Sequence, residues 1–140
     1  MASGRVSLVL FAAALLILGA SALEVTLSSE RNPQDIHVDL IDSANTTIRA
    51  AVYKFSDDKI LEAILDALDR GVRVELVVDL VENEDKDSHA NAAAKEGAHV
   101  RFYSTSKYEK LHAKFSIFDD EIAVSYVEQT YIYVKLTIIP

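Results

Sequence analysis

Between residues 47 and 80 the periodicity of the chain switches twice, and that switch limits the fold class more than any other feature. Thr47–Tyr53 is β-branched and alternating, the pattern of a strand. Phe55-Ser56-Asp57-Asp58 then offers an N-cap, and Ile60, Leu61, Ile64, Leu65 and Leu68 form one apolar helical stripe. Gly71 stands where a helix usually ends. Val72–Leu80 follows as a nearly continuous apolar run, typical of a buried parallel strand.

The flanking segments extend the same alternation. Leu23–Leu27 reads as a short strand and Ser28–Asn32 as a polar turn. Pro33 opens a helix, where its missing N–H costs nothing, and Ile36, Leu40, Ile41 and Ala44 keep helical spacing up to Asn45. Beyond the acidic stretch Glu82–Asp87, an alanine-rich helix Ser88–Glu96 ends at Gly97, and Ala98–Tyr103 is a further strand. Ser104–Lys110 is a polar loop before a last strand from Leu111. Strand and helix alternate three times and two strands close the pattern. This predicts an α/β fold with a mostly parallel sheet flanked by helices. His37 and His89 fall on helices and read as surface residues.

A chain of 140 residues with 50% apolar content is expected to form one domain with a real core. It has no cysteine, which excludes a disulfide framework and a thiolate metal site. The net charge of −8 argues against a protein that grips nucleic acid over a broad surface. A local basic cluster of Arg101, Lys107, Lys110 and Lys114 remains, equally readable as ordinary solvated side chains. Glu82, Glu84, Asp85 and Asp87 lack the glycine and terminal Glu of a calcium loop and read as a solvated acidic loop. No metal and no cofactor are expected.

Residues 1–22 read as a secretory signal. Arg5 is their only charge, Val6–Leu18 is an apolar run of 13 residues, and Gly19-Ala20-Ser21-Ala22 is a small-residue cleavage pattern. The run is shorter than the roughly 20 residues that span a bilayer. The competing reading is an uncleaved signal-anchor through residues 6–18. The expected location is the secretory pathway or outside the cell, or else a membrane surface.

The chemistry concentrates in Leu111-His112-Ala113-Lys114-Phe115-Ser116-Ile117-Phe118-Asp119-Asp120. Read as a strand, it puts His112, Lys114, Ser116 and Phe118 on one face. Leu111, Ala113, Phe115 and Ile117 form the other, a purely apolar face expected to pack into the core. Strand rise separates His112 from Lys114 by roughly 7 Å, room for a phosphate between an imidazole and an ammonium. The spacing His-x-Lys-x-x-x-x-Asp, carried by His112, Lys114 and Asp119, resembles the signature of the phospholipase D superfamily. Thr47–Tyr53, the helix ending at Arg70-Gly71-Val72 and the strand ending at Asp79 also sit where that family has them. The resemblance spans residues 23–125.

The resemblance implies phosphodiester hydrolysis without a metal ion. His112 would attack phosphorus and form a phosphohistidine, Lys114 would stabilise the phosphoryl oxygens, and Asp119 would orient a histidine by hydrogen bonding. A second histidine must protonate the leaving alcohol. His37, His89 and His99 do not start a second motif; His99-x-Arg101 comes nearest. A homodimer facing two copies of His112 is therefore expected. The acidic net charge and the N-terminal segment favour a phospholipid head-group ester, with membrane association, over a nucleic acid.

The family pattern breaks after Ser125. Tyr126 and Val127 occupy its Gly-Ser positions and Thr130 its Asn position. Residues 126–140 are a divergent, β-prone tail, expected as an edge strand or an aggregation hazard. The domain reads as incomplete at its C-terminus, as in a truncated or alternatively spliced product. The alternatives are an impaired relative that binds or dimerises with a partner, and a metal-independent nuclease.

Overall fold

A computed structural model describes residues 22–27, 32–103, 110–127 and 132–137. The segment read as a signal lies outside them except for Ala22, and so do Lys107 and Thr130. The elements are β1 (Ala22–Leu27), α1 (Pro33–Ser43), β2 (Thr47–Val52), α2 (Asp58–Asp69), β3 (Arg73–Asp79) and α3 (Leu80–Asn83), then α4 (His89–Lys95), β4 (His99–Tyr103), β5 (Lys114–Phe118), β6 (Ile122–Val127) and β7 (Ile132–Thr137). Among the described residues no helix is long and apolar enough to cross a membrane.

Local chemistry starts and stops the helices. Asn32 accepts from the Gln34 backbone N–H at 3.0 Å ahead of Pro33, and Asp57 accepts from Lys59 and Ile60. Gly71 and Gly97 end α2 and α4 with φ of 85° and 107°, a region other residues enter at a cost.

All seven strands form one sheet in the order β1-β7-β6-β5-β2-β3-β4. The α/β class is as the alternation predicts. Parallel pairing is confined to β2-β3-β4, the strands joined through helices. The remaining four pairings are antiparallel. The reason is local: Asp119 and Asp120 have φ of 52° and 59°, and Glu121 N–H bonds the Phe118 carbonyl at 3.0 Å. That is a tight turn over residues 119–121, which reverses the chain between β5 and β6. β7 is not an edge, contrary to expectation; β1 covers its outer side, leaving β1 and β4 at the margins.

The core lies on one face of the sheet. Ile48, Val74, Leu76, Val78, Phe118 and Val124 meet Ile36, Leu40 and Ile41 of α1, Ala63, Ile64 and Ala67 of α2, and Ala90 and Ala93 of α4. The side-chain parity of β5 follows expectation but its burial is reversed. Ser116 and Phe118 are buried, while Phe115, assigned to the core, is 43% exposed. Register explains this: Ser116 lies opposite Ala50 and Val124, and Phe118 opposite Ile48, all on the helix-covered face. His37 makes a buried serine tolerable there. Its Nε2 lies 3.2 Å from Ser116 Oγ and its ring meets Phe118 edge-on at 5.6 Å.

His37 is therefore not the surface residue the sequence suggests. Burial lowers its pKa to about 4 despite the opposing pull of Asp57, so it is neutral at pH 7. His89 is also partly covered, bonded to Asp58 at 2.8 Å and edge-on to Phe55 at 5.6 Å.

Candidate active site

Strands β2, β3 and β4 run parallel, so their C-terminal ends at Val52, Asp79 and Tyr103 share one margin of the sheet. Antiparallel β5 begins at that margin, with Lys114 opposite Val52. The strand starts at Lys114, three residues later than expected. Residues 110–113 are irregular, so His112 precedes the strand rather than lying on it.

The irregular segment is nonetheless held in place. Asp79, 2% exposed, divides its carboxylate between two tasks. Oδ1 accepts from Val81 and Glu82, capping α3, and Oδ2 accepts from the Leu111 backbone N–H at 2.9 Å. One residue earlier, Lys110 Nζ reaches Tyr53 Oη at 2.6 Å and Glu82 Oε1 at 2.9 Å. Tyr53 in turn donates to Glu82 Oε1 at 2.6 Å. The Lys110 ammonium is 5.1 Å from the Tyr53 ring centre, which with the 2.6 Å contact puts it off the hydroxyl end and not over the ring face. Tyr53 and Glu82 together raise the Lys110 pKa, and Tyr53 then Lys110 lower that of Glu82; both groups stay charged at neutral pH.

Asn83, 1% exposed, locks the margin from below. Its Oδ1 accepts from Phe55 N–H at 2.9 Å, and its Nδ2 donates to the Tyr53 carbonyl at 2.9 Å and the Asp79 carbonyl at 2.8 Å. All of these bonds fix Tyr53, and Tyr53 is where the two candidate groups meet. The exposed His112 ring packs against it at 5.2 Å, tilted by 55°, and Lys114 Nζ lies 5.8 Å from the same ring centre. An imidazole and an ammonium thus share one aromatic support at the C-terminal ends of the parallel strands β2–β4, where ligands of open α/β folds bind.

Asp119 is not there. It follows Phe118 at the opposite end of β5, five residues from Lys114 and so about 17 Å along the strand. Its carboxylate accepts from the backbone N–H groups of Asn45, Thr46 and Thr47 and from the Thr46 hydroxyl, at 2.8–3.2 Å. These bonds tie the β5–β6 turn to the α1–β2 connection. The resemblance implies that Asp119 orients or tunes a histidine by hydrogen bonding; these bonds make it an anchor of this turn.

The anchor has a measurable consequence. Burial alone would raise the Asp119 pKa, but the donors from Thr47, Asn45 and Thr46 outweigh it and hold it at about 2, below the ordinary 3.8. The folded carboxyl thus releases its proton more readily than the unfolded one. Its stabilisation is complete above pH 4 and is lost as pH falls towards 2. Asp119→Asn, which retains the tolerance for positive φ, is expected to cost about 2 kcal/mol at pH 7 in urea unfolding and to flatten the acid limb below pH 4. An acid limb identical to wild type would contradict the anchor role.

Of the basic cluster, Lys110 and Lys114 meet at Tyr53. Arg101 is exposed on β4, Lys110 is bound to Tyr53 and Glu82, and Lys114 begins β5. Glu82 belongs to this site and not to an acidic loop. Among the described residues no group of His, Asp or Glu side chains converges to hold a metal. Tyr53, Asp79 and Asn83 had no recognisable spacing as site residues. Apart from the bonds of Asp79 to Val81, Glu82 and Asn83, the hydrogen-bond partners of their side chains lie 28 to 57 residues away in sequence.

Comparison with known proteins bears on the family and the fold. The profile of the family described as "Cardiolipin synthase, PLD-like domain" matches residues 37–126. No curated protein sequence matches the chain. Among solved structures, Nuc from Salmonella typhimurium, described as a phospholipase D family member, is 26% identical with a TM-score of 0.71, covering 86% of each chain. NucT from Helicobacter pylori is 20% identical with a TM-score of 0.67, covering 84% of this chain and 85% of its own. TrmBL2, an archaeal chromatin protein, is 20% identical with a TM-score of 0.59, covering 96% of this chain and 53% of its own. The chain that sets a histidine and a lysine against Tyr53 at this sheet margin belongs to the phospholipase D-like superfamily of phosphodiesterases.

Proposed function

We propose that this protein hydrolyses a phospholipid head-group ester through a phosphohistidine intermediate at a site shared by two copies of the chain. The observation that carries the reading is the placement of the His112 ring and the Lys114 ammonium against one tyrosine. In the first step a neutral His112 nitrogen forms a bond to phosphorus and the phosphorus–oxygen bond to the leaving alcohol breaks. Lys114 offsets the charge that builds on the non-bridging oxygens. The partner copy's histidine at the same position gives its proton to the leaving oxygen, then takes one from the water that cleaves the phosphohistidine. Asp119 takes no direct part.

Three observations support a lipid: the family description, the net charge of −8, and the apolar run Val6–Leu18. A nucleic-acid phosphodiester is the second reading. It is favoured by the exposed Arg101, Phe102 and Tyr103 at the end of β4, a cation beside stacking surfaces, and by the DNA binding described for TrmBL2.

The test incubates purified full chain in EDTA with phospholipid vesicles or with single-stranded DNA. Released head group supports the lipid reading, and shortened DNA the nucleic-acid one. No product from either substrate would support the silent, partner-binding alternative. Mixing wild-type with His112→Ala subunits tests the shared site. Activity is expected to follow the square of the wild-type fraction; linear dependence would contradict it.

A further inference from the structure

A cavity of about 290 Å³ opens beside the candidate site, and nothing in the chemistry above uses it. Its walls include Val52, Phe55 and Ile60, with His37, Lys54 and Asp57 as its ionisable groups. Two links join it to the phosphate position. Val52 is the register partner of Lys114, so their side chains stand next to each other on the helix-covered face. His37 bonds Ser116, two residues along the same face of β5. The lysine that would hold a diester therefore stands next to Val52, a wall of this cavity.

We propose that the cavity receives the alcohol half of the phosphodiester and selects an uncharged, ring-sized alcohol over a cationic amino alcohol. The inference rests on the phosphodiesterase reading and narrows its substrate. Size comes first: a cavity of about 150 Å³ holds a benzene ring, so a solvent-open pocket of about 290 Å³ has room to seat one substituted ring. Charge comes second. The Asp57 carboxylate is already engaged by the Gln34 amide at 2.6 Å and by two backbone N–H groups of α2. Lys54 is exposed at the rim and repels a cation. Among the described residues Phe55 is the one aromatic carbocycle in the lining, too few for a cage around a quaternary ammonium. His37, neutral at pH 7, adds part of the lining without adding charge.

The experiment has two arms. In the first, His112→Ala protein, which cannot turn over, is titrated with bis(4-nitrophenyl) phosphate while the His37 ring signals are followed by NMR. A saturable shift is expected, and it is lost when Ile60→Phe fills the cavity in a protein whose melting temperature shows it folded. A silent His37 ring during binding, or no binding at all, would overturn the proposal. In the second, wild type is given monomeric short-chain phosphatidylinositol and phosphatidylcholine. Head-group release is expected to be about tenfold faster from the inositol lipid, and Lys54→Glu to remove most of that preference. Equal rates in both proteins would overturn the selectivity. A clear His37 shift without hydrolysis of any ester would strike the phosphodiesterase reading and leave the cavity as a ring-binding site.

Discussion

His112→Ala is expected to lower phosphodiester hydrolysis by on the order of 10⁴-fold or more, to the uncatalysed background. No neighbouring group can replace the lost nucleophile. Lys110 is bound to Tyr53 and Glu82, and His37 lies on α1, bonded to Ser116. The fold should be indifferent, because His112 is exposed and lies outside regular structure; such substitutions usually stay within about 0.5 kcal/mol. Urea unfolding beside the rate measurement checks both halves. Lys114→Ala should cost less, roughly 10²- to 10³-fold, because it removes charge stabilisation but not the reacting bond. A His112→Ala protein that retains wild-type rate would end the assignment.

Asn83→Leu is expected to destabilise the domain by about 3 kcal/mol or more and to reduce activity in the fraction that remains folded. Leucine fills a similar volume but supplies neither donor nor acceptor. Phe55 N–H would be left buried without its partner, and the carbonyls of Tyr53 and Asp79 would each lose a donor. Each group stranded in this way costs about 1–3 kcal/mol. The two strand ends that Asn83 joins carry Tyr53 and Asp79, which support His112 and Leu111 respectively. The loss of stability should therefore come with a loosened site. Urea midpoints and the Tyr53 ring signal in NMR measure the two effects separately.

Helices and parallel strands were readable because one physical rule governed each. Ile36, Leu40, Ile41 and Ala44 were spaced for burial, and all four are buried. The burial of β5 was not readable, since both faces of Phe115-Ser116-Ile117-Phe118 carry large apolar groups and only the packing of α1 decides between them. Ser116 looked like the exposed side until His37 came to meet it. Asp119 is a different case. Its five-residue distance from Lys114 already forbids contact along a strand, but motif spacing invites a catalytic reading. Asn83 and Asp79 were invisible because their hydrogen bonds join chain segments that no local pattern relates.

The proposed reaction requires that a nitrogen of His112 take the phosphoryl group while Asp119 remains a distant anchor. Rapid acid-free quenching of the reaction with bis(4-nitrophenyl) phosphate, followed by mass spectrometry of the peptide around residue 112, tests this directly. The account predicts a base-stable phosphoryl adduct on His112 that also forms in Asp119→Asn protein and is absent from His112→Ala. An adduct on any other residue, or turnover with no adduct at His112 on a timescale that resolves the first step, would contradict it.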